Sequence, residues 1–140
     1  MSPSTPSWTN PVPGDVLHYR YLWHHEADAK REDGKKTRPC LVLAVRETAK
    51  GLVVHIAPIT TQRLDPDNLI AIPQAVIHHL GLDDRSIIVT SEYNTFLWIG
   101  PDVFPRSDGL VTYGKVPEKL HDRVRDAAIA KRARNIVRTS

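Results

Sequence analysis

Two apolar stretches decide the fold of this chain: PCLVLAV at Pro39–Val45 and LVVHIAPI at Leu52–Ile59. Each is short and rich in branched side chains, which is typical of a buried β-strand. Between them Ala49–Gly51 favours a tight turn, so the two strands are predicted to pair as an antiparallel hairpin. The open ends of that hairpin, Arg38 and Thr60, would then lie side by side, opposite the turn.

Further β-strands are predicted on both sides of the hairpin. Aromatic and branched residues favour a strand at Val16–Trp23, directly after Gly14 and Asp15. Three more segments of strand-like composition follow the hairpin: Leu69–Ile72, Ser86–Thr90 and Tyr93–Ile99.

Two helices are predicted in addition. Pro73 opens a short helix at Gln74–Leu80, which Gly81 closes. Pro117 opens a terminal helix that is predicted to run into the arginine-rich end of the chain. Many short strands followed by a terminal helix indicate an α+β fold, mainly β, around a strongly bent antiparallel sheet.

The composition is that of an ordinary globular domain. The chain has 140 residues, of which 41% are hydrophobic and 25% charged. Residues 1–13 include four prolines and are predicted to form a flexible arm, while residues 14–140 are predicted to form a single domain.

No apolar run approaches the roughly 20 residues that span a bilayer, and the first residues do not resemble a signal peptide. The single cysteine, Cys40, cannot close an internal disulfide, so we expect a cytoplasmic protein.

Positive charge is concentrated near the C-terminus. The formal net charge is +3, but residues 115–140 hold eight lysines and arginines against three acidic residues, an excess of +5 that leaves −2 for the first 114 residues. A basic helix of this kind either contacts phosphate groups or forms a solvated face.

A charged segment, His24–Arg38, separates the first strand from the hairpin. It holds five lysines and arginines and four acidic residues without apolar periodicity, so a long loop is predicted. His24 and His25 open it, but adjacent side chains diverge and no further ligands complete a metal site. The sequence also has no glycine-rich phosphate loop, paired cysteines or Gly-x-Ser-x-Gly motif, so no metal or other cofactor is expected.

Arg38 and Thr60 form a candidate anion site. At the margin of a sheet, the Arg38 guanidinium could hold a phosphate through two parallel hydrogen bonds. Thr60–Gln62 adds two hydroxyls and an amide where the partner strand ends. Both features also have an ordinary explanation. An exposed Arg38 paired with Glu32 or Asp33 contributes only about 0 to 1 kcal/mol, and threonine is common in turns.

Five blocks of this sequence resemble the MazF/PemK family of toxin ribonucleases from bacterial toxin–antitoxin pairs. In chain order they are Gly14–Val16, Arg38–Leu43, Pro58–Gln62, Ser86–Trp98 and Tyr113–Leu120. Two departures from the family pattern stand out. Ile72–Asp84 looks like an insertion, and the acidic residue usual before Trp98 is replaced by Ser91, with Glu92 beside it.

The resemblance implies an SH3-like small barrel with a short inserted helix and a C-terminal helix, commonly a homodimer, that cleaves single-stranded RNA without a metal ion. It assigns catalytic roles to Arg38 and Thr60, which would stabilise charge on the phosphoryl oxygens while the ribose 2′-hydroxyl attacks. Arginine hardly deprotonates, so the candidates for the general base are Asp33, which completes the predicted catalytic set, and His24 or His25. The residues predicted to bind nucleic acid are Lys30, Arg31, Lys35, Lys36, Thr61, Gln62 and Arg63.

A toxin of this kind implies a small acidic antitoxin as its partner, and DNA as a target of the toxin–antitoxin complex. Two other functions fit the same residues. The chain could be a non-catalytic barrel that binds DNA or RNA through the charged loop and the terminal helix, or a barrel whose basic surface binds an acidic protein. Binding that weakens steeply with salt, without turnover, would indicate the nucleic-acid module. No membrane partner is expected.

Overall fold

The computed structural model describes residues 8–30 and 36–138. Within these residues the strands are β1 Asp15–Tyr19, β2 Arg38–Thr48, β3 Gly51–Thr60, β4 Leu69–Ala71, β5 Ile87–Val89, β6 Glu92–Leu97, β7 Thr112–Lys115 and β8 Arg134–Val137. The helices are α1 His24–Asp28, α2 Gln74–Leu80 and α3 Glu118–Ala130, and a 3₁₀ turn covers Pro66–Asn68. The described part of the predicted N-terminal arm, residues 8–13, contains neither helix nor strand.

All eight of these strands belong to one sheet, in the order β4-β5-β3-β2-β1-β7, with β6 pairing with β3 and β8 with β6. The long strand β3 changes neighbours along its length: Val53–Ile56 pairs with β6, and Ile59–Thr60 pairs with β5. The prediction of a mainly β, α+β fold is confirmed. In the described residues the path ends at β4 on one side and β7 on the other, so the sheet does not close into a barrel.

The predicted hairpin is present as β2 and β3. Their antiparallel register runs from Cys40 opposite Pro58 to Thr48 opposite Gly51. Gly51 has a φ of +128°, a conformation that glycine adopts without strain, and this allows the tight turn at Lys50.

Both faces of this hairpin are buried. On one face Leu41 and Ala57 pack with residues of the two longer helices, including Ile77, Leu120 and Val124. The other face packs against the aromatic side chains of the neighbouring strands, and its core contains Cys40, Val42, Val54, Ile56, Tyr19, Tyr21 and Phe96. Burial on both faces explains why β2 and β3 are nearly continuous apolar runs rather than alternating ones.

The short inserted helix is confirmed with its predicted bounds. Helix α2 covers Gln74–Leu80, with Pro73 at its N-cap and Gly81 at its C-cap in a left-handed conformation with φ of 69°. Among the described residues, no helix is long and apolar enough to span a membrane.

The prediction that the terminal helix continues into the arginine-rich end is wrong. Helix α3 ends at Ala130, and Arg132 turns the chain with a φ of 51°. Residues Arg134–Val137 then form β8, which lies parallel to β6. The apolar face of α3 ends at Ala128. Further along the chain, Ile136 of β8 is buried on the sheet.

Strand β8 ends in a buried ion pair. The Arg138 side chain is 2% exposed and its Nη2 lies 2.9 Å from Oδ2 of Asp102. Nη1 of Arg138 donates to the carbonyl oxygen of Arg20 over 2.8 Å. Arg138 therefore links the end of β8 to the segment after β1 and to the loop before β7.

We expect Asp102→Ala to lower the free energy of unfolding by about 3–5 kcal/mol, because it breaks a buried ion pair of the Arg138 guanidinium. The matched control is Asp126→Ala, which removes an exposed partner of Arg125 on α3 and should cost at most about 1 kcal/mol. Denaturant unfolding of both variants measures the difference. Equal stabilities would contradict the structural role of the buried pair.

Candidate functional site

Arg38 and Thr60 meet at the open end of the β2–β3 hairpin. The β2–β3 register ends at Cys40 opposite Pro58, so Arg38 and Thr60 each lie two residues beyond the last pair, at the same end of the hairpin. The neighbouring strands extend the row on each side: Tyr19 of β1 lies opposite Arg38, and Ile87 of β5 lies opposite Thr60. The two residues therefore lie at the same end of the two central strands.

A cavity of about 280 Å³ lies at this margin, and both Arg38 and Thr60 line it. We call it the Thr60 cavity. Thr61 and Lys36 also contribute to its wall, and Ser86 and Tyr113 lie on its far side. The two residues that the sequence singles out thus share one accessible depression.

Thr60 is only 4% exposed, and its side chain shapes the turn that follows β3. Its Oγ1 accepts a hydrogen bond of 3.1 Å from the backbone N–H of Gln62. A hydroxyl that accepts through one lone pair still has its own hydrogen to donate. Thr60 is therefore a turn residue and remains able to donate to an anion in the cavity.

The Arg38 side chain is held against an aromatic ring. Its Cζ lies 4.9 Å from the ring centroid of Trp23, within the range of a cation–π contact. Among the described residues, the Nε atom of Arg38 is buried and has no hydrogen-bond partner. A buried N–H without a partner is costly, so an acceptor that reached Nε would remove an unfavourable feature of the free protein.

A larger cavity, of about 580 Å³, lies on the other side of Arg38. We call it the Trp23 cavity. Its wall includes Trp23, His24, His25, Glu92 and, from beyond β3, Gln62 and Asn68. Arg38 and Lys36 line both cavities, so their positive charges lie where the two meet.

The buried carboxylate of Glu92 organises the wall of the Trp23 cavity. Glu92 is 3% exposed, and its Oε1 accepts hydrogen bonds from the Tyr21 hydroxyl at 3.0 Å and from the backbone N–H of His24 at 2.9 Å. Its Oε2 lies 2.5 Å from Nδ1 of His24. Burial, and then the Glu92 charge, raises the pKa of Tyr21 well above its ordinary value, so this hydroxyl stays protonated and donates.

Two further contacts fix the segment that carries His24. The side-chain amide of Asn94 bonds both the N–H and the carbonyl oxygen of Leu22, at 2.9 and 2.8 Å. At the other end of α1, Arg134 of β8 holds Asp28 through hydrogen bonds of 2.6 and 3.1 Å, which lower the pKa of Asp28. The start of the predicted charged loop is therefore the helix α1, which corrects the prediction of a loop from His24 onward.

The structure brings some of the predicted binding residues together and leaves others apart. Lys36, Thr61 and Gln62 line the two cavities. Lys30 is exposed just after α1, and Arg63 donates instead to the carbonyl oxygen of Arg85 over 3.2 Å. The predicted residues Arg31, Asp33 and Lys35 lie outside the described residues.

Sequence reasoning missed the importance of Glu92 and Trp23. In the sequence Glu92 stands out only as the neighbour of Ser91, because nothing local marks a glutamate as buried. Trp23 was placed at the end of a strand, whereas β1 ends at Tyr19 and Trp23 is the N-cap of α1. Within the described part of the chain, no three His, Cys, Asp or Glu side chains gather closely enough to hold a metal ion.

Comparison with known proteins gives a likeness of fold. No protein-family model matches the chain, and no curated protein matches it in sequence. A chain of the crystal structure of MazE–MazF from Deinococcus radiodurans superposes with a TM-score of 0.53, covering 86% of this chain and 94% of that chain at 18% sequence identity. The protein described here therefore has a MazF-like fold.

We expect Glu92→Ala to lower the free energy of unfolding by about 2–4 kcal/mol, since it leaves the buried Tyr21 hydroxyl and the part-buried backbone N–H of His24 without their acceptor. Amide hydrogen exchange at residues 21–28 should accelerate at the same time. The control is Glu47→Ala, which removes an exposed carboxylate from β2 and should change stability by no more than about 0.5 kcal/mol. Unchanged exchange at residues 21–28 would contradict this role of Glu92.

Proposed function

We propose that this protein is a toxin-like endoribonuclease that cleaves single-stranded RNA without a metal ion. The observation that carries the proposal is the joint placement of Arg38 and Thr60 on one cavity, with the buried Nε of Arg38 lacking a hydrogen-bond partner among the described residues. A guanidinium and a hydroxyl at the margin of a sheet suit a phosphodiester group. The MazF-like fold supports the same function.

In the proposed reaction the ribose 2′-hydroxyl attacks the adjacent phosphorus, and the bond to the 5′-oxygen breaks. The products are a 2′,3′-cyclic phosphate and a 5′-hydroxyl. Negative charge accumulates on the non-bridging oxygens in the transition state, where the fixed charge of Arg38 and the hydroxyl of Thr60 stabilise it. Arg38 is held by the Trp23 ring before the substrate arrives, so little reorganisation is needed.

The same surface provides contacts for the rest of the RNA strand. Lys36 adds positive charge where the two cavities meet, and Thr61 and Gln62 present polar groups beside Thr60. The half-buried ring of Trp23, which contacts Arg38 and His25, adds an aromatic group to this surface. Arg31 and Lys35, which are predicted to bind nucleic acid, and Asp33, a candidate for proton transfer, lie outside the described ranges.

The proposal includes a partner and an oligomeric state. We infer that residues 14–140 form one SH3-like domain that works as a homodimer in the cytoplasm and is inhibited by a small acidic antitoxin. A solved structure of similar fold is a chain of a MazE–MazF structure, which supports a protein partner of this type. DNA is the expected target of such a toxin–antitoxin complex.

Cleavage of single-stranded RNA in the presence of EDTA tests the proposal. We expect the wild type to release fragments with cyclic phosphate ends, and Arg38→Ala and Thr60→Val to lower kcat/KM by at least about 100-fold, the usual cost of removing one donor to a developing oxyanion. Thr60→Ser keeps the hydroxyl and should stay within about tenfold of the wild type.

The matched control is Arg46→Ala, an exposed arginine of the same strand β2 at its other end. It should leave kcat/KM unchanged. Cleavage that survives both Arg38→Ala and Thr60→Val would remove the site assignment. RNA or DNA binding that weakens steeply with salt, without any cleavage, would instead support a non-catalytic binding module.

A further inference from the structure

We propose that His24 is the general base of this reaction and that Glu92 is the residue that positions it. The inference rests on the proposed function and assigns its proton-transfer step. It comes from a contact between helix α1 and strand β6, which are far apart in the sequence.

Glu92 holds His24 at two points. One carboxylate oxygen accepts the backbone N–H of His24 at 2.9 Å, and the other lies 2.5 Å from Nδ1 of its ring. Together these contacts fix both the position of the residue and the direction of its imidazole. The Tyr21 hydroxyl, at 3.0 Å, keeps the carboxylate in place from the other side.

The pair is buried at its acidic end and open at its imidazole end. The Glu92 side chain is 3% exposed, whereas that of His24 is 47% exposed. A carboxylate only accepts hydrogen bonds, so in the neutral ring Nδ1 carries the hydrogen and Nε2 carries the lone pair. Among the described residues none forms a hydrogen bond to Nε2, and this nitrogen is therefore available to take a proton.

The position of His24 suits the proposed substrate. His24 lines the Trp23 cavity, and Arg38 lines both this cavity and the Thr60 cavity. A phosphodiester bound at Arg38 would therefore have the Thr60 hydroxyl on one side and the His24 imidazole on the other. We place the neighbouring ribose hydroxyl on the Trp23 side, beside the wall that His24 lines, where the reaction needs a general base.

His25 lines the same cavity but has a different environment. Its ring stacks on Trp23 with centroids 6.4 Å apart and an interplanar angle of 18°. In the described part of the chain, no carboxylate orients the His25 ring as Glu92 orients that of His24. A base held by a third group is the arrangement that effective proton transfer requires.

The proposed step balances as follows. Nε2 of His24 takes the proton of the 2′-hydroxyl while the bond from O2′ to phosphorus forms and the bond from phosphorus to O5′ breaks. The departing O5′ takes a proton from a water molecule in the open cavity, and the resulting hydroxide removes the added proton from Nε2. The Glu92 carboxylate faces the imidazolium while it exists and stabilises its charge.

The experiment compares His24→Asn and His24→Ala with the wild type. Asparagine keeps a donor for Glu92 but has no group that takes a proton, so it separates a structural role from a chemical one. We expect both variants to lower kcat by about 10²–10⁴-fold, while the affinity for a 2′-deoxy-substituted, uncleavable RNA stays within about twofold. Glu92→Gln should lower kcat by at least about tenfold with KM unchanged.

Chemical rescue distinguishes a chemical role of His24 from a structural one, because imidazole would not restore activity that was lost through misfolding. Free imidazole should restore activity to His24→Ala in a saturable manner, because the cavity is open, and should not restore Arg38→Ala. His79→Gln, an exposed histidine of α2, is the control and should behave as the wild type.

The outcomes separate the two proposals. An active wild type with an inactive Arg38→Ala and a fully active His24→Asn would overturn the role of His24 and leave the proposed function intact. Loss of activity without imidazole rescue, together with loss of RNA affinity, would also overturn it, in favour of a structural role. A wild type that does not cleave RNA at all would overturn the proposed function and this inference with it.

Discussion

The antiparallel register between β2 and β3 is the constraint on which the candidate site depends. A shift of one residue along a strand would turn every side chain to the opposite face of the sheet. Here both faces are buried: Leu41 and Ala57 belong to one core, while Val42 and Ile56 belong to the other. Because two cores of different shape must both be satisfied, the packing of both faces fixes the register, and this places Arg38 and Thr60 at the same end of the hairpin.

Buried charged groups are a second constraint on how the chain segments lie on the sheet. Moving a carboxylate out of water costs several kcal/mol unless hydrogen bonds and charge replace the lost solvation. Glu92 meets this requirement with Tyr21 and His24, and Asp102 does so with Arg138. Each arrangement joins segments distant in sequence, so the charged groups fix how the segment before α1 and the C-terminal strand lie on the sheet.

The elements that the sequence predicted well are those with local signals. The hairpin follows from two apolar runs, and α2 follows from Pro73 and Gly81, which mark its ends. The C-terminal strand was missed because parallel pairing between β8 and β6 is a long-range property, whereas the local composition favours continuation of the helix. Glu92 was undervalued for the same reason, since the burial of a glutamate depends on which chain segments cover it.

Several C-terminal arginines form ion pairs within the protein, and this affects where a polyanion could bind. Arg134 is engaged with Asp28, and Arg138 is buried against Asp102. On α3, Arg125 contacts Asp122 and Asp126. Asp28 and Asp102 thus offset two charges of the +5 excess of residues 115–140, and Arg134 and Arg138 support helix α1 and the segment after β1 rather than forming an open basic face. Contact with phosphate is then best placed at the margin of β2 and β3, where Arg38 and Lys36 line both cavities.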